Sequence, residues 1–166
     1  MRSFKNIYHN KTILVTGHTG FKGSWLCAWL TSLGAKVIGL SIDIPGSPSN
    51  FEVSDIGQYL QDHRIDIRDA TAVRELVKDC QPDFVFHLAA QALVRPSYEN
   101  PLDTFSTNTM GSACVLDALR ILDKKVVAVM ITSDKAYDNV EWVWGYRETD
   151  PLGGKDPYSA SKGMAE

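Results

Sequence analysis

The sequence predicts an α/β fold built as a doubly wound parallel sheet, and three observations carry that expectation. Residues 12–33 read as a short apolar strand, a glycine turn and a helix. Further short apolar runs follow at intervals that leave room for a helix between each pair, which is the spacing of βαβ units. The fourth run, Phe84 to Leu88, is apolar apart from His87 and does not alternate, the mark of a strand covered on both faces.

In chain order, residues 1–10 are a polar lead-in, and Ile13, Leu14 and Val15 form the first strand. Gly17, Gly20 and Gly23 then recur at three-residue spacing, and Phe21, Trp25, Leu26, Trp29, Leu30 and Leu33 recur with helical period. Such a unit aims free N–H groups and the positive end of the helix dipole at the turn, where a pyrophosphate is favoured. The glycine pattern by itself also fits an ordinary β-to-α turn. Gly34 reads as the helix cap, Ala35 to Leu40 as the second strand, and Asp43 lies 20 residues beyond Gly23. A dinucleotide site places there a carboxylate that accepts hydrogen bonds from the adenosine ribose and repels a 2′-phosphate. The alternative for Asp43 is a solvated loop acid beside Pro45 and Gly46.

Residues 51–60 suggest a short helix or an irregular connection. His63 to Ile67 reads as the third strand, and Asp69 as the cap of a helix with Ala72, Val73, Leu76 and Val77 on its apolar face. The fourth strand ends in Ala89 and Ala90, small enough to let a ring or phosphate approach. Asn100-Pro101 opens a helix over residues 102–122 with Leu102, Phe105, Thr109, Ser112, Leu116 and Leu119 on one stripe. Val126 to Ile131 is the fifth strand. Ligands of such a sheet sit beyond the carboxyl ends of its strands, where all these motifs fall.

Composition narrows the functional classes. A chain of 166 residues that is 44% hydrophobic and 22% charged has the size of one domain and can bury a core. A net charge of −3 with scattered Lys and Arg argues against a nucleic-acid or anionic-membrane partner. No apolar run reaches the ~20 residues that span a bilayer, and MRSFKNIYHNK lacks the apolar centre of a signal peptide. Cys27, Cys80 and Cys114 are odd in number and far apart, so they read as small buried hydrophobes, with no metal cluster, and a cytoplasmic location is expected. PYSASKGMAE starts a helix that meets no cap, from which a longer enzyme with a further domain is expected.

Two groups past the fifth strand can do chemistry: Thr132, Ser133, Asp134 and Lys135, then Tyr158 and Lys162. The last two are four apart and share a helix face. A nearby ammonium eases a phenol toward ionisation, so that it can take a proton from a sugar hydroxyl. A solvated helical pair is the bland alternative. Lys22 reads as a pyrophosphate contact or a solvent-facing side chain, and His18 stands beside it in the turn. Trp142, Trp144 and Tyr146 read as a packed loop cluster or a substrate-side lid.

TGHTGFKGSWL, HLAAQALVRPSYENP, ITSDKAYDN, EWVWGYRETDPLGG and DPYSASKG together resemble the extended short-chain dehydrogenase/reductase family, with its NAD-dependent epimerases and dehydratases. The resemblance is strongest to the branch acting on CDP-glucose, because Ser133-Asp134-Lys135 stands where dTDP-glucose enzymes carry Thr-Asp-Glu. It implies a Rossmann fold over residues 1–166, an absent C-terminal sugar-nucleotide domain, and NAD held by Gly17, His18, Thr19, Gly20, Phe21, Lys22, Gly23, Asp43, Asp66, Ile67, Leu88, Ala89, Ala90, Gln91, Asn108, Thr132, Tyr158 and Lys162. Asp66-Ile67 would contact adenine, although a strand-end acid closing a turn explains them as well.

It further implies a homodimer or dimer of dimers in deoxysugar and O-antigen lipopolysaccharide synthesis. The implied reaction is dehydration of CDP-glucose by a lyase. Tyr158 takes the 4-hydroxyl proton, Ser133 binds the 4-oxygen, Lys162 holds the nicotinamide ribose, Asp134 protonates the leaving 6-hydroxyl, and Lys135 assists at C5 or simply pairs with Asp134. A sugar-nucleotide 4-epimerase and a non-catalytic dinucleotide-binding module are the other readings.

Overall fold

A computed structural model describes residues 3–166, so Met1 and Arg2, at the start of the expected polar lead-in, lie outside the described residues. The strands are β1 (Thr12–Thr16), β2 (Lys36–Ser41), β3 (Gln61–Arg64), β4 (Phe84–His87) and β5 (Val127–Met130). The helices are α1 (Phe21–Ser32), α2 (Asn50–Val53), α3 (Ala70–Cys80), α4 (Val94–Glu99), α5 (Pro101–Phe105), α6 (Gly111–Leu119) and α7 (Pro157–Ala165). The chain divides into two compact units, one of Met1–Ala89 with Cys114–Met130 and the other of Ala90–Ala113 with Ile131–Glu166.

The first unit holds the sheet, which is parallel throughout and ordered β3-β2-β1-β4-β5. Strand side chains alternate between faces, and β1 divides its apolar residues accordingly. Ile13 and Val15 join Cys27, Leu30, Val37, Phe51 and Ile56 in one core cluster. Leu14 joins Ile38, Leu40, Ile67, Val73, Leu76, Val77, Val85, Val115 and Ala118 in a second. Burying each such side chain contributes roughly 1.5–3 kcal/mol against exposure, and this two-sided burial is why β1 reads as an unbroken apolar run; β3 is polar, and β5, apolar in sequence, is largely exposed. The Asp69 carboxylate caps α3 by accepting from Thr71 and Ala72 N–H, and Val73, Leu76 and Val77 form its buried face as their spacing requires. Gly34, at φ +82°, ends α1. Residues 49–60 resolve into a Ser49–Glu52 capping box that opens α2, then a single 3₁₀ turn at Ile56–Tyr59.

Three expectations need correction. The third strand runs over Gln61–Arg64 rather than 63–67, because pairing with β2 and not apolarity selects it; Asp66 and Ile67 therefore lie past its carboxyl end. The helix expected over 102–122 ends at Leu119 and contains a π turn at Ser106–Met110. The extra residue of that turn rotates the face, so Leu102 is 84% exposed while Thr104, Asn108, Ser112, Val115 and Ala118 are buried. On α1 the aromatic residues Phe21, Trp25 and Trp29 face outward, and Gly23, Ser24, Cys27 and Leu30 are buried.

In the second unit the buried residues are mostly polar: Ser97, Thr104, Asn108, Ser112, Ser159, Ser161 and Lys162, with Ala136 and Tyr158. Asp156 caps α7 by accepting from Ser159 N–H, Pro157 sits in its first turn, and Tyr137 stacks on Tyr146 at 5.2 Å with Trp142 tilted beside them. Trp144 is 70% exposed.

Candidate functional site

In the first unit β1 runs directly into the glycine turn. Gly17 adopts φ +71°, and a Cβ on it would lie 2.7 Å from the Ala89 nitrogen, so neither its conformation nor its surroundings admit a side chain. A Cβ on Gly23 would overlap the Gly17 carbonyl, which means that α1 packs straight onto the turn. At Gly20 a Cβ would meet only the Gly17 carbonyl oxygen, at 3.3 Å, and the space there is otherwise open. Gly20 is also the N-cap of α1, and no side chain caps it, so the first-turn N–H groups are left to an outside acceptor. One glycine for the turn, one for close approach and one for helix packing form a cradle that fits a dinucleotide pyrophosphate.

Hydrogen bonds tie that cradle to the ends of β2 and β3. Thr19 donates from Oγ1 to the Asp43 carbonyl at 2.6 Å and from its N–H to Ser41 Oγ at 3.4 Å. His18 is buried, with Nδ1 3.0 Å from Ser41 Oγ, Nε2 2.9 Å from Asp62 Oδ1, and its ring edge-on to Phe51. Burial pulls its pKa down, opposed chiefly by the charge of Asp62. The imidazole occupies room that Gly39 leaves, since a Cβ there would overlap it; His18 thus borders the cradle with its backbone. Arg64 donates to Asp62 and to the Asp43 carbonyl, at 2.6 and 3.0 Å. The Asp43 carboxylate itself is exposed, as are Phe21 and Lys22.

On the other side of β1, Leu88 donates its N–H to the Thr16 carbonyl and Ala89 donates to Thr16 Oγ1 at 3.1 Å. Ile67 is buried in the core, and the neighbouring Asp66 is gripped by Arg68.

The second unit gathers the acid–base candidates on and around α7. Tyr158 and Lys162 are both buried, the amine reaching the Ile131 carbonyl at 3.4 Å. Burial lowers the Lys162 pKa below its ordinary value. Thr132 follows Ile131 and is half-buried. Ser133 then caps a 3₁₀ turn over Asp134–Ala136: its hydroxyl accepts from Lys135 N–H and donates to Asp134 Oδ1 at 3.1 Å. A Cβ on Gly163 would stand 3.2 Å from the Ala136 carbonyl, so this turn lies close against α7. Asp134 and Lys135 are exposed, and the ion pairs among the described residues do not join them.

Asn108 sits inside the π turn, almost completely buried. Its Oδ1 accepts from Gln91 N–H at 2.8 Å, and its Nδ2 donates to the Gln91 carbonyl and to Ser161 Oγ. Ala90 precedes Gln91 and is half-buried. Asn108 therefore ties the segment after β4 to the helix that carries Tyr158 and Lys162. The arrangement offers a phenol and an amine shielded from water, with an exposed carboxyl group and a hydroxyl on the adjoining 3₁₀ turn, a set suited to moving protons.

Reasoning from sequence missed several residues that hold these in place. Ser97, fully buried, accepts from Tyr158 N–H at 3.2 Å. Ser161 donates to the Tyr158 carbonyl and Thr109 donates to the Ser161 carbonyl. Ser161 lies inside DPYSASKG and was open to notice; Ser97 is 61 positions from its partner and left no local signal.

A family model described as GDP-mannose 4,6 dehydratase matches residues 14–166. A CDP-glucose 4,6-dehydratase of Salmonella typhimurium is 52% identical over 162 residues, covering 98% of this chain and 45% of that protein. A GDP-mannose 4,6-dehydratase of Yersinia enterocolitica is 33% identical, covering 92% of this chain and 43% of that one. The crystal structure of a Thermus thermophilus UDP-glucose 4-epimerase in complex with NAD superposes with a TM-score of 0.79 at 30% identity, covering 93% of this chain and 48% of that one. The chain spans about half the length of the curated relatives it matches. No described helix is long and apolar enough to cross a membrane. With the parallel sheet, the glycine cradle and a family model matching almost its whole length, this chain belongs to the GDP-mannose 4,6 dehydratase family, within the epimerases and dehydratases its motifs resemble.

Proposed function

We propose that this chain is the cofactor-holding and acid–base part of an NAD-dependent lyase that dehydrates CDP-glucose to CDP-4-dehydro-6-deoxyglucose. The observation that carries the reading is the Ser133–Ala136 turn, which sets an exposed carboxyl group, that of Asp134, close to the helix bearing buried Tyr158 and Lys162. An epimerase needs the tyrosine and lysine but has no leaving water for Asp134 to protonate. The 52% identity to the Salmonella dehydratase supports the same choice and the cytidine nucleotide.

The glycine cradle holds the pyrophosphate of NAD, the Asp43 carboxylate meets the adenosine ribose, and Asp66 faces adenine, Ile67 having its side chain in the core and only its backbone to offer. When bound, NAD supplies the hydride acceptor and donor. Tyr158 accepts the 4-hydroxyl proton of the sugar, with Ser133 donating a hydrogen bond to the same oxygen. Asp134 gives its proton to the 6-hydroxyl as that group leaves as water, and Lys135 assists the loss of the C5 proton. Lys162, shielded from water beside Tyr158, favours the phenolate form that takes the 4-hydroxyl proton. In the same reading the protein is a cytoplasmic homodimer or dimer of dimers that feeds deoxysugar and lipopolysaccharide synthesis. The likeness to the Thermus epimerase keeps a 4-epimerase as the second reading.

Mass spectrometry of CDP-glucose incubated with the protein and NAD separates these. Loss of one water is expected from the wild type, falling roughly 10²–10⁴-fold in Tyr158→Phe. An isomer of unchanged mass selects the epimerase, and an untouched substrate removes both.

A further inference from the structure

Asp66 lies just past the end of β3, between buried Ile67 and half-buried Ile65. Arg68 grips its carboxylate. Arg68 donates from Nε to Oδ1 and Oδ2 at 3.0 and 2.9 Å, from Nη2 to Oδ2 at 2.6 Å, and from its backbone N–H to Oδ1 at 2.9 Å. The loop that presents the pair is itself fixed. Asp69 N–H donates to the Asp66 carbonyl, Asp69 caps α3, and Cys114 Sγ contacts the Arg68 carbonyl at 3.9 Å. Each side chain of the pair is about one-third exposed, at 35% and 29%, so the fork is neither buried structure nor free surface.

Three N–H groups make four hydrogen bonds to the ionised carboxylate because the Nε–H is shared between its two oxygens, so a further donor can take the place of one arm of that shared bond. The pair also holds Asp66 well ionised, its pKa lowered first by the Arg68 side-chain hydrogen bond. Resting on the reading that Asp66 faces an adenine, we propose that Arg68 is a positioning residue for base recognition: its fork aims the Asp66 carboxylate at the exocyclic amino group of the purine. A purine with a carbonyl at that position would present oxygen to oxygen and be disfavoured. Without the fork the carboxylate can turn among rotamers, and the distinction between amino and carbonyl weakens.

The test compares the affinity of this chain for NAD and for nicotinamide hypoxanthine dinucleotide, in which a carbonyl replaces the amino group, by isothermal calorimetry. The wild type is expected to prefer NAD roughly tenfold. Arg68→Ala should bring that preference to within about twofold while leaving the hypoxanthine dinucleotide unchanged, and Arg68→Lys should restore part of it. A purely structural ion pair would weaken both dinucleotides together and keep the preference, which overturns the inference. A wild type without preference overturns it too, and one that binds neither dinucleotide overturns the cofactor reading on which it stands.

Discussion

The two units bury different chemistry. In the first, two apolar clusters sandwich a parallel sheet, and the buried polar residues, Thr16, His18, Thr19, Ser24, Ser41, Ser49 and His87, are partnered at the margins of those clusters. In the second, only Ala136 and Tyr158 are buried and apolar among the described residues; what fills the interior is Ser97, Thr104, Asn108, Ser112, Ser159, Ser161 and Lys162. Apolar contact is undirected and holds a scaffold of many equivalent parts. Hydrogen-bonded interiors are directional, so they fix one arrangement of a few groups at high cost if any partner is lost. The cradle for a ligand rests on the first kind of core and the acid–base residues rest on the second.

The largest expected break of that contrast is Asn108→Leu, which keeps volume but strands the Gln91 N–H, the Gln91 carbonyl and Ser161 Oγ. At about 1–3 kcal/mol for each buried group left unpaired, a loss of about 3 kcal/mol is expected. Amide hydrogen exchange should speed up along α7 while β1 and β4 keep their protection. Equal acceleration in both units would show one cooperative core in place of two.

A smaller effect of opposite sign is expected at Lys162, whose amine is buried with a 3.4 Å bond to a carbonyl. Its folded pKa is lowered, so the charged form is strained throughout the range below that value, and stability should rise with pH as the amine loses its proton before the unfolded chain does. Lys162→Met should raise stability by about 1 kcal/mol in urea melts at pH 7 and abolish dehydration. A destabilised variant would mean that the ammonium is better solvated than its burial implies.

The smallest effect lies in the first unit. His18 resists protonation when folded, so as pH falls below its ordinary value of 6.5 the unfolded chain takes up a proton that the folded chain refuses. Between pH 7 and 5.5 the wild type should lose a fraction of a kcal/mol more than His18→Gln in parallel thermal melts. Parallel curves would show that Asp62 fully offsets the burial.

What sequence made legible follows the same division. Strands buried on both faces announce themselves as apolar runs, and α3 by its spacing, because hydrophobic burial is written residue by residue. The outward turn of Trp25 and Trp29 and the rotated face beyond the π turn were hidden, since both depend on what packs where and not on composition. At the site, Tyr158 and Lys162 are four apart and readable, as is the glycine turn. The hydrogen bonds that place them, Ser97 to Tyr158 and Asn108 to Ser161, link residues 61 and 53 positions apart and exist only once the chain has folded.

The outward-facing indoles also decide how this protein can be watched. All four tryptophans, Trp25, Trp29, Trp142 and Trp144, are at least 45% exposed. Their native emission is therefore expected close to that of hydrated indole, and unfolding should shift it little. Trp25 stands one turn into α1, the helix whose first turn forms the phosphate cradle, and is the indole placed to report on a ligand there.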